Sequence, residues 1–218
     1  MDKREELQKL EREILANRAL PLRDTANLVF GEGNIDCEVM FIGEAPGMNE
    51  DRQRRPFVGR GGQLLDRMNE SIGWKRSSVY ITNIVKRRPP ENRDPLPDEI
   101  EAYKPYLTRQ IEIIAPRIIV TLGRFSMNYF LPEAKITRDH GRTFTIDGRI
   151  IYPVFHPAAA LRSPEMMRLL AEDFQKLPKI LSGEVTSSIV LPAAMAVDAA
   201  AEKAKARAAQ KPKQGSLF

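Results

Sequence analysis

Little in this sequence could cross-link the chain or hold it in a membrane. Its 218 residues contain one cysteine, Cys37, which excludes an intrachain disulfide. Apolar runs are short: the stretch Arg117-Ile-Ile-Val-Thr-Leu122 is among the longest and falls far below the length needed to cross a bilayer. The first ten residues are charged and lack the apolar stretch of a secretion signal. These absences predict a cytoplasmic protein. Histidine is also scarce, with only His140 and His156.

What is present is ordinary for a globular chain, with 42% hydrophobic and 29% charged residues. The length suits one domain with a sizeable core plus a tail, and two domains would be a tight fit. A net charge of +5 suits a polyanionic partner such as nucleic acid, but charge alone is weak ground. Local pattern has to carry the argument.

Leu7, Leu10, Ile14 and Leu15 fall at helical spacing and predict an amphipathic first helix. Cys37-Glu-Val-Met-Phe-Ile-Gly43 reads as a buried strand ending in the turn Glu44-Ala-Pro-Gly47. A helix follows from Gly61, with Leu64, Leu65, Met68 and Ile72 inward, and Val79–Val85 reads as a second strand. Pro97 opens another helix, Ile118–Gly123 is a third strand, Arg124 to Leu131 a helix, and Ile150–His156 a fourth strand. This alternation predicts a three-layer α/β sandwich around a largely parallel, four-stranded sheet, with ligands bound beyond the carboxyl ends of the strands. Residues 1–184 form the expected domain. Residues 185–218 are alanine-rich, carry no acidic side chain past Glu202, and read as a mobile basic tail.

Several short motifs follow strand ends in a fixed order. Gly43-Glu-Ala-Pro-Gly47 precedes Glu50-Asp51, then Arg55-Pro-Phe-Val-Gly-Arg-Gly-Gly-Gln-Leu-Leu65, Ile81-Thr-Asn83, Lys86-Arg-Arg-Pro-Pro90, Asn92-Arg93 and Phe155-His-Pro157. In sequence, order and spacing this series resembles the family 4 uracil-DNA glycosylases, over about residues 7 to 180. The resemblance implies a uracil-DNA glycosylase-like fold and a monofunctional DNA glycosylase. Such an enzyme extrudes deoxyuridine and hydrolyses its N-glycosidic bond in base excision repair, leaving an abasic site.

The residue types suit that chemistry. The amide of Asn83 can accept from uracil N3–H and donate to O4, and cytosine inverts both partners, leaving two buried groups unpaired at about 1–3 kcal/mol each. Its plainer role is a turn residue at a strand end. Phe57, in a glycine-flanked loop, can stack on the flipped base or anchor the loop to the core. His156 can donate to the uracil oxygen that gains charge as the bond breaks. By resemblance Glu44 and the backbone of Ala45 line the pocket near the attacking water, and Glu50 guards the C5 side against thymine. Which carboxylate assists water stays open, and both also suit a helix start. Leu161 resembles the plug that enters the base stack, with Arg162 on a phosphate or the orphan base. Lys86, Arg87, Arg88 and Arg93 form a basic run suited to the phosphate backbone, or to a solvated face. His140, in a charged turn, reads as surface.

One departure is plain. Family 4 enzymes usually hold a 4Fe-4S cluster on four cysteines, whose positions correspond here to Asn17, Leu20, Arg87 and Tyr103, none of them a thiolate. The chain is therefore expected to need no cofactor or metal. Tyr103, Pro105, Tyr106 and Leu20 are expected to form an apolar plug there, with Arg87 turned to DNA or to an acidic neighbour. The last residues, Gln214-Gly-Ser-Leu-Phe218, resemble the peptide by which bacterial repair proteins bind the sliding clamp, with Gln214, Leu217 and Phe218 as contacts. The expected partners are uracil-containing DNA and the clamp, with the protein a monomer. The alternative is a non-catalytic uracil-DNA binding protein associated with the clamp, or a clamp-associated scaffold with a vestigial pocket.

Overall fold

A computed structural model of the chain describes residues 2–185 and 189–191. The four expected strands are β2 (Val39–Gly43), β3 (Tyr80–Asn83), β4 (Ile118–Leu122) and β6 (Arg149–Val154), and they pair in parallel in the order β3-β2-β4-β6. Among the described residues the sheet has seven strands rather than four. Three short ones complete it: β1 (Glu32–Gly33) runs antiparallel to β3, β5 (Phe144–Ile146) runs antiparallel to β6, and β7 (Ile189–Leu191) runs parallel to β5. Strands of two or three residues offer no apolar run to read. Part of the stretch expected as tail thus joins the sheet.

Alternation along β2 explains the layering. Met40 and Ile42 point into one core with Leu7, Leu10, Ile14, Tyr103, Leu107 and Ile111, while Val39 and Phe41 point into another with Leu64, Leu65, Leu170 and Phe174. The first core is covered by α1 (Lys3–Ala16), α4 (Pro97–Ile114) and α5 (Arg124–Phe130). The second is covered by α3 (Arg60–Ser71), α7 (Pro157–Ala160) and α8 (Pro164–Ser182). Leu10 and Ile14 of α1 are fully buried, each contributing about 1.5–3 kcal/mol, whereas Leu15, expected inward, is half exposed. A sheet covered on both faces must be apolar on both, and all five residues of β2 and of β4 are buried.

The helix α8 has clear boundaries. Ser163 caps it through its hydroxyl, Pro164 opens it, and Gly183 closes it in a left-handed conformation. Its Phe174 stacks on Phe41 with ring centroids 5.8 Å apart. Between α5 and β5 lie the short helix α6 (Ile136–Asp139) and His140. His140 is not a surface residue: Nδ1 lies 2.6 Å from Oδ2 of the buried Asp173, and its ring packs 4.5 Å from that of Phe155. No described helix is long and apolar enough to cross a membrane.

The parallel core also fixes where a ligand can sit. From β2 the chain passes through α2 (Met48–Gln53) and α3 to β3 on one side, and from β4 it moves to β6 on the other. This reversal opens a crevice at the carboxyl ends of β2 and β4.

Candidate active site

Four strand ends converge on that crevice. Gly43 ends β2 and pairs in register with Asn83, which ends β3. Gly123 follows β4, and His156 follows β6 and caps α7. The ladder continues past the strands, with Ile84 N–H donating to Gly43 O at 3.0 Å and Val85 N–H to Glu44 O at 3.0 Å, so the backbone carrying Glu44 is held to β3.

Asn83 is buried, and its Oδ1 has no hydrogen-bond partner. A buried acceptor left unpaired costs about 1–3 kcal/mol, a cost that a ligand N–H would remove. Gly43 makes the space in front of it. A Cβ there would lie 2.4 Å from Asn83 Oδ1 and 2.5 Å from Phe57 Cζ, so the absence of a side chain lets the ring and the amide share one wall.

Phe57 is placed by a strained loop. Its φ is +51°, rare for a bulky residue, and such strain persists only where the surroundings over-determine it. They do so here. Glu50 Oε1 accepts from Val58 N–H at 2.9 Å and Gly59 N–H at 2.7 Å. Arg76 donates to the carbonyls of Pro56 and Phe57 while also pairing with Asp66 and Glu32, and Glu32 in turn holds Arg55. Gly62 lets α3 approach, since a Cβ there would fall 1.8 Å from Phe57 O. Glu50, expected to guard the base, is thus committed to the loop backbone. Arg76 holds the loop that carries Phe57, a part the sequence reading did not give it, since nothing in its own surroundings, Trp74-Lys-Arg-Ser-Ser78, marks it.

His156 faces Phe57, with ring centroids 5.9 Å apart. Its Nδ1 accepts from Ala158 N–H at 3.1 Å, which puts the ring proton on Nε2 and makes that nitrogen a donor. Burial pushes the imidazole down to about 4, against a smaller opposing effect of the Glu50 charge, so the ring is neutral near pH 7. Glu44 is the opposite case. Burial and the nearby Asp94 carboxylate push its carboxyl up to about 7, and Arg124 acts weakly the other way. Around the pocket Ala45 is half-buried against the first core, Leu161 half-buried against the second, and Arg162 is exposed.

The basic run divides. Lys86 is fully buried and Arg87 nearly so, and both point inward, not to DNA. Lys86 Nζ donates to Thr82 Oγ1, Asn83 O and Gln110 Oε1, and burial lowers its pKa well below the usual value. Arg93 is bound through two nitrogens to Glu99, whose carboxylate also accepts from Leu96 N–H at the start of α4. Arg88 is half-exposed and donates to Asn92 Oδ1 at 2.7 Å. Lys86 lies three residues past the end of β3, and there the inner side supplies three acceptors.

A neutral donor, an unpaired amide acceptor, an aromatic wall and a carboxyl whose pKa is raised to about 7 thus stand at one crevice. The chain belongs to the uracil DNA glycosylase superfamily, whose family model matches residues 30–178. Within it, the chain is 50% identical over 168 residues to the type-4 uracil-DNA glycosylase of Saccharolobus solfataricus, covering 72% of this chain and 78% of that protein. It is 45% identical over 185 residues to that of Sulfurisphaera tokodaii, covering 80% and 84%, and 42% identical over 188 residues to that of Thermotoga maritima, covering 83% and 98%.

The residues at the positions of the family's cluster ligands do not fit an iron-sulfur cluster. Tyr103 is fully buried and its hydroxyl donates to Pro21 O at 2.8 Å. Leu20 is buried beside it in the same core. Asn17 Nδ2 donates to Tyr106 Oη at 2.8 Å, and Arg87 donates to the carbonyl of Ala26 and to the Tyr103 hydroxyl. The plug is therefore more polar than expected: Pro105 is exposed, and Arg87 is buried and donates to backbone carbonyls and the Tyr103 hydroxyl instead of turning to the surface or to an acidic side chain. Cys37, buried in the first core, has its thiol pushed up to about 11 by burial and behaves as a small apolar side chain. Among the described residues no group of three or more His, Cys, Asp or Glu side chains could hold a metal ion.

Proposed function

We propose that this protein acts on uracil-containing DNA as a monofunctional glycosylase, extruding deoxyuridine, hydrolysing its N-glycosidic bond and leaving an abasic site. The observation that carries the reading is the buried, unpartnered Oδ1 of Asn83 beside Phe57 and opposite His156, an acceptor suited to uracil N3–H. Phe57 stacks on the extruded base, and Nε2 of the neutral His156 donates to the uracil oxygen that gains charge. As the C1′–N1 bond breaks, its electron pair leaves with uracil, water oxygen bonds to C1′, and Glu44 accepts the water proton. Ala45 lines the pocket through its backbone. Glu50 acts indirectly by fixing the Phe57 loop.

Leu161 fills the space left in the base stack, with Arg162 and Arg88 on the DNA backbone. The enzyme works without a cluster, as a monomer in the cytoplasm. The clamp-binding peptide, with Gln214, Leu217 and Phe218, lies outside the described residues and remains part of the proposal. The test is cleavage of a labelled single-uracil oligonucleotide by the protein and by its Asn83→Ala and His156→Ala variants. Each variant is expected to lose about 10²–10³ in rate, as for removal of one oriented group at a developing anion. Wild-type rates in both would overturn the assignment, and tight binding without cleavage by the unaltered protein would favour the binding-protein reading.

A further inference from the structure

Lys86 is left without a role once it is removed from the DNA contacts, and its surroundings suggest one. Its Nζ lies 2.6 Å from Thr82 Oγ1, 2.6 Å from Gln110 Oε1 and 2.9 Å from Asn83 O. Each of these atoms is committed as an acceptor. The Thr82 hydroxyl gives its own proton to Phe30 O at 2.8 Å. The Gln110 amide nitrogen donates to Phe30 O at 3.1 Å and to the Tyr80 oxygen at 3.0 Å, which turns Oε1 toward the lysine. Asn83 offers a backbone carbonyl. Three acceptors call for three N–H groups, the complement of an ammonium and one more than a neutral amine carries. Burial opposes that charge; the three committed acceptors around Nζ oppose burial and favour the protonated form.

No carboxylate belongs to this set of contacts, so the charge is not cancelled locally. It stands behind the residue whose Oδ1 opens toward the base. We propose that Lys86 is a positioning residue for the glycosylase reaction: its buried ammonium holds the end of β3 through Asn83 O, and its field stabilises uracil as the base departs as an anion. This rests on the reading in which uracil sits against Asn83. Lys86 exchanges no proton with the substrate. Its effect is electrostatic and strengthened by the low dielectric of the interior.

Leaving-group dependence separates a field from a merely structural role. The 5-fluorouracil anion is intrinsically more stable than the uracil anion and needs less help. Gln110→Glu places a carboxylate against the ammonium, cancelling its charge and keeping an acceptor for Nζ at the loss of the amide donations to Phe30 O and Tyr80 Oη, and Lys86→Met removes charge and donors together. Single-turnover cleavage of uracil and 5-fluorouracil oligonucleotides is measured for both variants, with melting curves to show that each is folded. The expected result is a loss of about tenfold or more on uracil, below that for a direct donor, and a clearly smaller loss on 5-fluorouracil. Equal losses on both bases, or a wild-type rate in folded Gln110→Glu, would overturn the proposal. If Asn83→Ala is inactive while Gln110→Glu is not slowed, this inference fails alone. If Asn83→Ala is fully active, the pocket reading fails first.

Discussion

Polar groups in two regions packed around the segment from β3 to α4, a pocket end and an end beside the N-terminal segment, are handled in opposite ways. At the pocket end, Asn83 Oδ1 is buried and unpaired, Phe57 is held at positive φ, and Glu44 has its carboxyl raised to about 7. At the other end Asn17, Arg87 and Tyr103 pair with one another's surroundings, through Tyr106 Oη, Ala26 O and Pro21 O, over the buried Leu20. The first arrangement stores unmet interactions that a substrate can satisfy. The second spends its hydrogen bonds on the fold alone, tying the N-terminal segment to the loop after β3. One end is built for a ligand and the other for stability, and substitutions at the two ends should separate accordingly.

The largest effect is expected from Glu44→Gln. A carboxyl with a pKa near 7 is protonated below that value and cannot take a proton from water, so cleavage by the unaltered protein should rise with pH through about 7 and then level. His156, at about 4, stays neutral over that range and adds no second limb. The variant should lose about 10²–10³ above the transition, as expected for removal of a general base, and its rate should be flat with pH. An unchanged pH profile would move the base elsewhere.

Gly43→Ala comes next. Its methyl group would collide with both Asn83 Oδ1 and Phe57, displacing the wall of the pocket, and misplacement on this scale costs about 10²-fold. Normal turnover in this variant would mean that Gly43, Asn83 and Phe57 do not share a pocket. Tyr103→Phe should do least and do it differently. Losing the bond to Pro21 O should cost about 1 kcal/mol, or a melting shift of about 2–4 °C, with the cleavage rate intact. A rate loss without a stability loss would break the contrast between the two ends.

What the sequence made legible follows from what each feature depends on. The four parallel strands were readable because a sheet covered on both faces needs continuous apolar runs, and Val39–Gly43 and Ile118–Leu122 have them. The edge strands were not, since they are short, although Asp147-Gly148 between β5 and β6, both at positive φ, is a recognisable hairpin turn. The long α8 was also overlooked, despite Ser163-Pro164 at its start and Leu170, Phe174 and Leu177 along its inner face. Asn83, Phe57 and His156, singled out because each stands at a strand end or in a glycine-flanked loop, are brought together by the fold, while their roles rest on the proposal. Lys86 and Arg87 misled because a charge run reads as solvated surface, and only tertiary structure reveals that Thr82, Gln110 and the Ala26 carbonyl wait inside. His140 misled for the same reason, since its partner Asp173 lies on a distant helix.

The central claim is that the pocket works on its own while the region around Asn17, Leu20, Arg87 and Tyr103 is sustained by packing and hydrogen bonds. The most direct test is multiple-turnover cleavage of a single-uracil oligonucleotide by protein freed of iron and kept in chelator, followed beside its melting temperature. The account predicts many turnovers per molecule, with rate and melting temperature unchanged by the chelator. A requirement for iron, or binding without turnover, would contradict it.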